Sequence, residues 1–175
     1  RKVAAVTGRV DALVHAAGVI AIAPLLAAAG ADVLADELRT NTLAPVRLTS
    51  LLAPQLATGS RVVFVNSSQG LRAEGDVGGY AASKHALRAV ADSLRDELAP
   101  DGIGVTSLYL GRTATPMQER ELVWEAKLRS MTPEAVKQSY IDDTPLGRLE
   151  TAQDIANIAL FLASDEADFI TGEAI

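Results

Sequence analysis

One pair of side chains in this sequence has the types and the spacing for proton transfer. Tyr80 and Lys84 stand four positions apart in the segment YAASK, so on a helix the two side chains share one face. A phenol has an ordinary pKa of about 10, and an ammonium beside it favours the phenolate. Such a tyrosine exchanges protons with an alcohol or a carbonyl near neutral pH. The alternative interpretation is a half-buried tyrosine beside a lysine whose stem follows apolar surface.

Two polar residues upstream of this pair are further candidates. Ser67 follows an apolar run with only Asn66 between them, and a hydroxyl at a strand end can hydrogen-bond an oxygen on which charge develops during hydride transfer. Consecutive serines after a strand are also common turn residues. Asn41 falls inside a helical pattern, where asparagine is a mediocre helix former. It predicts a local kink or a bound water, unless it is simply an exposed asparagine.

Four short apolar runs predict the strands that position these residues. They are Val3–Val6, Ala12–His15, Arg61–Val65 and Ile103–Tyr109. Their hydrophobicity is continuous rather than alternating, which favours strands buried on both faces of a parallel sheet. Each run is followed by small or polar residues, and ligands bind beyond the carboxyl ends of the strands in an open α/β sheet. The sequence therefore predicts a ligand site at that edge.

Helical patterns separate the later strands. Ala35–Leu56, Tyr80–Leu98 and Gln153–Leu162 have the periodicity of amphipathic helices. The first two have the length of crossovers between parallel strands, so we expect one α/β domain over residues 1–175. Met117–Met131 is a further helical segment, either a lid over a substrate pocket or a surface helix.

Composition excludes several classes of protein. The 175 residues are 49% hydrophobic but only 4% aromatic, which suits helices packed on a parallel sheet. A net charge of −6 argues against binding to nucleic acid or to an anionic membrane surface. The absence of cysteine excludes disulfides, thiol catalysis and cysteine-ligated zinc, and we expect no metal. No apolar run approaches the roughly 20 residues of a membrane span, and we see no secretory signal, so we expect a cytoplasmic protein.

The spacing of the first two runs is anomalous. Only five residues, 7–11, separate them, whereas a parallel crossover needs about a dozen or more. Either the two runs form a hairpin or residues are absent between Gly8 and Arg9. We favour absence, and expect a separation of their Cα atoms well beyond the ~3.8 Å of a trans peptide. We also expect the domain to be incomplete at the C-terminus, where the chain ends at Ile175.

Together these segments resemble the short-chain dehydrogenase/reductase family. Thr7-Gly8 resembles the opening of its Thr-Gly-x-x-x-Gly-x-Gly cofactor turn, and residues 15–18, HAAG, stand in the place of its Asn-Asn-Ala-Gly. Residues 110–115, LGRTAT, resemble its Pro-Gly-x-x-x-Thr segment. The family's Asn-Ser-Tyr-Lys set is matched in order and approximate spacing by Asn41, Ser67, Tyr80 and Lys84. Both asparagines of the third motif and the proline of the fourth are replaced.

The resemblance implies a Rossmann-like, doubly wound parallel sheet and hydride transfer between NAD or NADP and an alcohol/carbonyl substrate. Tyr80 would be the acid/base, and Lys84 would hold the nicotinamide ribose and lower the pKa of Tyr80. Ser67, favoured over Ser68 by the family's offsets to Gly70 and Tyr80, would orient the substrate oxygen. Asn41 would hold a water of a proton relay. The implied cofactor-binding residues are Thr7, Gly8, Ala17, Gly18, Tyr80, Lys84, Gly111, Thr113 and Thr115.

The resemblance leaves the choice between NAD and NADP open, because the family's discriminating residues are not visible in this sequence. It implies a homodimer or homotetramer formed through Ala35–Leu56 and Tyr80–Leu98. Two other functions stay open: a degenerate, non-catalytic dinucleotide binder or scaffold, and an epimerase or dehydratase of the extended branch. Only 65 residues follow Leu110, whereas extended-branch chains usually carry a larger C-terminal substrate domain.

Overall fold

The computed structural model describes residues 8–175, so the predicted first strand, Val3–Val6, and Thr7 lie outside the described residues. Five strands are present in the described part: β1 (Val10–His15), β2 (Leu56–Ser67), β3 (Gly104–Leu110), β4 (Thr113–Ala114) and β5 (Glu150–Thr151). The α-helices there are α1 (Gly30–Leu38), α2 (Ala44–Leu52), α3 (Gly78–Leu98), α4 (Pro116–Leu128), α5 (Pro133–Asp142) and α6 (Ala152–Leu162).

The main sheet has the order β1-β2-β3. β1 and β2 run parallel, with Leu13 beside Val62 and Val14 beside Val63, and the chain crosses between them through α1 and α2. The C-terminal residues continue the sheet beyond β3, because Ser107 forms a parallel bridge with Ala174. The predicted α/β architecture with a parallel sheet is confirmed.

Burial differs between the strands. Val62, Val63 and Phe64 of β2 are almost completely buried, as the continuous apolar run predicts. β1 instead alternates: Leu13 and His15 are buried, whereas Ala12 and Val14 are exposed. In the described part of the chain β1 is an edge strand with only one covered face, so the expectation of burial on both faces is wrong for β1.

The predicted helix Ala35–Leu56 is divided into α1, a π-helical turn (Arg39–Leu43) and α2. Pro45 lies in the first turn of α2. Proline has no N–H to give the carbonyl four residues earlier, and that carbonyl belongs to Asn41. The ladder is therefore interrupted at Asn41, where the sequence predicts a kink. The last predicted residue, Leu56, begins β2 instead.

The chain divides into two compact units, one formed by residues up to Tyr109 together with Ala159–Ile175, the other by Leu110–Ile158. The core of the first joins the sheet to α2 and α3 and comprises Leu13, Leu52, Val62, Phe64, Leu87, Ala91, Ile103 and Val105. The second unit has a core between α4 and α5, formed by Leu122, Ala126, Val136, Tyr140 and Leu149. The count of one domain stays a prediction. Among the described residues no helix is both long and apolar enough to cross a membrane.

The buried His15 predicts a pH dependence of stability. Its ring stacks on Phe64 with centroids 4.9 Å apart, its Nε2 lies 2.8 Å from the hydroxyl of Thr49, and burial lowers its pKa from 6.5 to about 4. The unfolded chain thus takes up this proton first as the pH falls. Between pH 6.5 and 4 we therefore expect the free energy of unfolding of the wild type to fall by up to about 3 kcal/mol relative to that of His15→Asn.

Urea unfolding across that pH range measures the difference. The exposed His85 provides a matched control, His85→Asn. Parallel pH profiles for wild type and His15→Asn would contradict the prediction.

The outer face of α2 predicts self-association. Leu48 and Leu51 are exposed there, and Leu43 is exposed in the turn before it. A helix that is apolar beyond its core-facing stripe tends to meet a partner, so we expect a dimer or tetramer whose dissociation is promoted by Leu48→Glu combined with Leu51→Glu. Light scattering at decreasing concentration tests this, and a monomeric wild type would contradict it.

Candidate active site

Helix α3 carries Tyr80 in its first turn and Lys84 one turn later. The Lys84 ammonium lies 5.7 Å from the centroid of the Tyr80 ring, so the two side chains share a face, as their spacing predicts. Lys84 is only 4% exposed, whereas Tyr80 is half-buried. The phenol thus stands at the margin of the core with a buried positive charge beside it.

Two reciprocal hydrogen bonds tie this helix to the carboxyl end of β2. Lys84 Nζ donates to the carbonyl of Val65 over 2.9 Å, and Asn66 Nδ2 donates to the carbonyl of Lys84 over 3.3 Å. The approach requires Gly70, because a Cβ there would lie 2.7 Å from Asn66 Oδ1 and 3.1 Å from Lys84 O. The strand end and the helix therefore hold each other at a fixed distance.

Ser67 is placed by the same strand end. Its N–H donates to Asn66 Oδ1 over 3.0 Å, and its Oγ accepts from the Gln69 N–H over 3.2 Å, which caps a 3₁₀ turn over Ser68–Gly70. With Oγ already accepting one bond, the hydroxyl proton is the group that Ser67 offers to another acceptor. We expect Ser67 Oγ within about 5 Å of Tyr80 OH, and this stays a prediction.

Asn41 is a junction between three segments. Its Oδ1 accepts from the Val19 N–H and its Nδ2 donates to the Val19 carbonyl, both over 2.8 Å. Nδ2 also donates to Ser83 Oγ over 2.9 Å, and that hydroxyl donates to the Tyr80 carbonyl over 2.7 Å. Asn41 thus holds the loop after β1 against the turn of α3 that carries Tyr80.

Sequence reasoning missed two members of this network. Ser83 is fully buried, and its carbonyl accepts from the Thr42 hydroxyl over 2.9 Å. A sequence signal existed for Ser83, because three residues after Tyr80 it must share the inward face of α3. Thr42 gave none, since its partner is 41 residues away.

A small open space, which we call the Gly18 cradle, lies between Gly18, Asn41 and the Lys84 ammonium. Gly18 is half-buried in the loop that follows β1, and Ala17 of the same loop is exposed. A Cβ on Gly18 would stand 3.5 Å from Asn41 Oδ1 and 3.8 Å from Lys84 Nζ. An ammonium has three N–H donors, and the Val65 carbonyl accepts from one of them. The cradle therefore has hydrogen-bond donors next to the space that Gly18 leaves open. This donor set fits the hydroxyl groups of a sugar, as the ribose of a dinucleotide would require.

Burial governs the charge of the lysine. It lowers the pKa of Lys84 from 10.5 to about 8, so the side chain is mostly cationic at pH 7 and loses its proton more readily than a surface lysine.

Within residues 8–175 no three acidic or histidine side chains are grouped so that they could hold a metal ion.

The remaining candidates belong to the second unit. Thr113 Oγ1 donates to Glu150 Oε2 over 3.0 Å, and Glu150 also lies closest to the space beside Gly111. Thr115 caps α4, its Oγ1 accepting from the Gln118 N–H over 3.3 Å. Their contribution to cofactor binding stays a proposal. For Thr7 and Gly8, Thr7 lies outside the described residues and Gly8 is exposed.

The whole chain, residues 1–175, matches a family model described as enoyl-(acyl carrier protein) reductase. It is 34% identical to sorbitol-6-phosphate 2-dehydrogenase of Escherichia coli over 179 residues, which take in 100% of this chain and 69% of that protein. A solved NAD⁺-bound xylitol dehydrogenase is 26% identical, with a TM-score of 0.86 over 98% of this chain and 68% of its own. A solved angucycline C-6 ketoreductase with bound NADP is 25% identical, with a TM-score of 0.78 over 95% of this chain and 60% of its own.

The chain spans about two thirds of the length of the curated relatives it matches: 66%, 69% and 64% for the first three. The 179-residue alignment takes in all 175 residues of this chain, so it leaves room for insertions of only a few residues. It therefore favours a chain without a long gap after Gly8, while the expected separation of Gly8 from Arg9 stays a prediction.

The buried ammonium predicts a variant that is more stable and less active. Because its pKa in the folded state lies below 10.5, the charged Lys84 opposes folding at every pH below about 8, and this cost disappears between pH 8 and 10.5. Lys84→Met should raise the free energy of unfolding at pH 7 by up to about 3 kcal/mol, with the advantage vanishing towards pH 10.5, while turnover is lost.

Urea unfolding at pH 7 and at pH 10 measures the gain in stability and its disappearance at high pH. The exposed Lys137 gives the matched control, Lys137→Met. A Lys84→Met protein that is less stable than wild type at pH 7 would show that the bond to Val65 outweighs the burial of charge.

Proposed function

The chain belongs to the short-chain dehydrogenase/reductase family, and from that membership we propose that it is an oxidoreductase that moves a hydride between a nicotinamide cofactor and an alcohol/carbonyl pair. The observation that carries the proposal is the placement of the Lys84 ammonium beside both the Tyr80 ring and the Gly18 cradle. A protein that only bound a dinucleotide would need the cradle but not a phenol next to a buried cation.

In this proposal Tyr80 is the group that exchanges a proton with the substrate. When a carbonyl is reduced, the Tyr80 O–H gives its proton to the substrate oxygen, and in the reverse direction the phenolate takes the alcohol proton. The Lys84 ammonium favours the phenolate form of Tyr80, because an opposite charge nearby stabilises it. The hydroxyl of Ser67 donates a hydrogen bond to the same substrate oxygen, which stabilises the negative charge that develops there.

The nicotinamide cofactor, when bound, supplies or accepts the hydride. Of the described residues, Lys84 would hold its ribose hydroxyls, and Gly18 would leave the space in which they approach. Thr113 and Thr115 carry hydroxyls suited to the carboxamide. Relatives are solved with NAD⁺ and with NADP, so we propose a nicotinamide dinucleotide without choosing its phosphate.

Asn41 has a narrower part in this proposal than a water ligand alone. Both ends of its amide are already hydrogen-bonded to protein. Its contribution is therefore first to fix the loop at Val19 and the turn of α3 at Ser83, and the relay water would have to share these atoms.

Replacement of the tyrosine tests the proposed chemistry. Tyr80→Phe removes the proton donor and little volume, so we expect kcat to fall by about 10²–10⁴-fold with the free energy of unfolding nearly unchanged. The measurement is oxidation of NADH and of NADPH over a panel of ketones, with Tyr140→Phe of the second unit as the matched control.

A Tyr80→Phe protein that kept most of its turnover would contradict the assignment. A wild type that bound either cofactor but reduced no ketone and oxidised no alcohol would favour the non-catalytic alternative. An epimerase or dehydratase would instead convert substrate without net change in the cofactor's absorbance.

A further inference from the structure

A buried carboxyl group stands next to the turn that carries Tyr80. Glu37 of α1 is 1% exposed, and its Oε1 accepts from the Ala21 N–H over 2.9 Å. It lies one helical turn before Asn41, which binds Val19. The two side chains therefore hydrogen-bond to Val19 and Ala21, which belong to the loop that follows the carboxyl end of β1.

The second oxygen of this carboxyl group faces α3. Glu37 Oε2 is buried and has no hydrogen-bond partner among the described residues. A Cβ on Gly79 would collide with this oxygen and would lie 3.4 Å from the Cα of Leu34. Gly79 directly precedes Tyr80, so the carboxyl group occupies the space that the missing side chain leaves, and it limits how closely the first turn of α3 approaches α1.

Burial also shifts the pKa of Glu37. Desolvation raises its pKa, and the hydrogen bond from Ala21 opposes that shift only in part. No ion pair among residues 8–175 involves Glu37. Glutamine has nearly the same shape as glutamate and keeps an acceptor for the Ala21 N–H, so Glu37→Gln removes the charge while it leaves the shape.

We propose that Glu37 is a positioning residue for Tyr80: it spaces the first turn of α3 from α1 through Gly79 while it holds the loop at Ala21. This role rests on the proposed function, because it assigns Tyr80 as the acid/base. A displacement of about 1 Å in a reacting group costs up to about 10²-fold in rate, so a side chain that sets the position of this turn affects kcat without touching substrate.

The first experiment separates shape from charge with three variants. Glu37→Ala should lower kcat by about tenfold or more and leave the KM for the cofactor within about twofold, because Lys84 and Gly18 stay in place. Glu37→Gln should keep kcat within about threefold of wild type. The exposed Glu97 of α3 supplies the matched control, Glu97→Ala, which should change neither constant. A Glu37→Ala protein with wild-type kcat overturns the proposal, and so does a Glu37→Gln protein as impaired as Glu37→Ala.

The second experiment is a double-mutant cycle that begins in the wild-type background. Gly79→Ala in the wild-type background forces the new Cβ against Glu37 Oε2, and kcat should fall by about tenfold. In the Glu37→Ala background the new methyl group meets only the Cα of Leu34, at an ordinary contact distance of 3.4 Å, so Gly79→Ala should change kcat by less than about twofold and leave the free energy of unfolding nearly unchanged. Equal effects of Gly79→Ala in both backgrounds overturn the proposal.

The two proposals fail in different ways. If wild type turns over and Tyr80→Phe does not, while the Glu37 variants behave as wild type, only the positioning role is wrong. If wild type has no turnover, the proposed function fails and the role falls with it. Urea unfolding of the four proteins in the cycle still shows in that case whether Glu37 and Gly79 contact each other.

Discussion

The ammonium of Lys84 is buried between β2 and α3, and the arrangement around it follows from the need to keep a cation there. Removing a charge from water is unfavourable unless hydrogen bonds replace hydration. The Val65 carbonyl accepts one such bond, and Asn66 closes the return tie to the Lys84 carbonyl. Gly70 allows strand end and helix to come this close, and Gly18 leaves the ammonium's other side uncovered. The buried charge of Lys84 lowers the free energy of unfolding, and the proposed chemistry uses that charge.

A second set of bonds holds the pieces that the lysine does not reach. The loop after β1 has no regular hydrogen-bond ladder, so its backbone groups at Val19 and Ala21 are satisfied by Asn41 and Glu37. Asn41, which binds both that loop and Ser83, lies in a π-helical turn, and Pro45 favours this turn because it has no N–H for the Asn41 carbonyl. The irregularity in the helix and the order of the loop are thus one structural solution.

Local patterns predicted the elements, whereas partners distant in sequence decided the rest. The run that ends at Val65 and the stripe of α3 both lie in the core, since their periodicity alone requires burial. Tyr80 and Lys84 could be paired from their spacing because a helix fixes that geometry. The exposed face of β1, the early start of β2 at Leu56 and the separate core formed by α4 and α5 depend on what packs against them. In the sequence Glu37 resembles a surface residue. It is buried because α3 packs closely against it at Gly79, a contact between residues that are 42 positions apart.

The charges of the two buried groups near Tyr80, Lys84 and Glu37, would have opposite effects on the phenol. A carboxylate beside the first turn of α3 would disfavour the phenolate, because like charge opposes ionisation, and it would oppose the effect of Lys84. Burial raises the pKa of Glu37 and lowers that of Lys84 only to about 8. At neutral pH the lysine thus keeps most of its positive charge, and the raised pKa of Glu37 makes its negative charge easier to lose. In a desolvated site an unopposed cation acts more strongly than in water. Burial thus disfavours both charges, and the ammonium that remains at neutral pH is the one that lies 5.7 Å from the centroid of the Tyr80 ring.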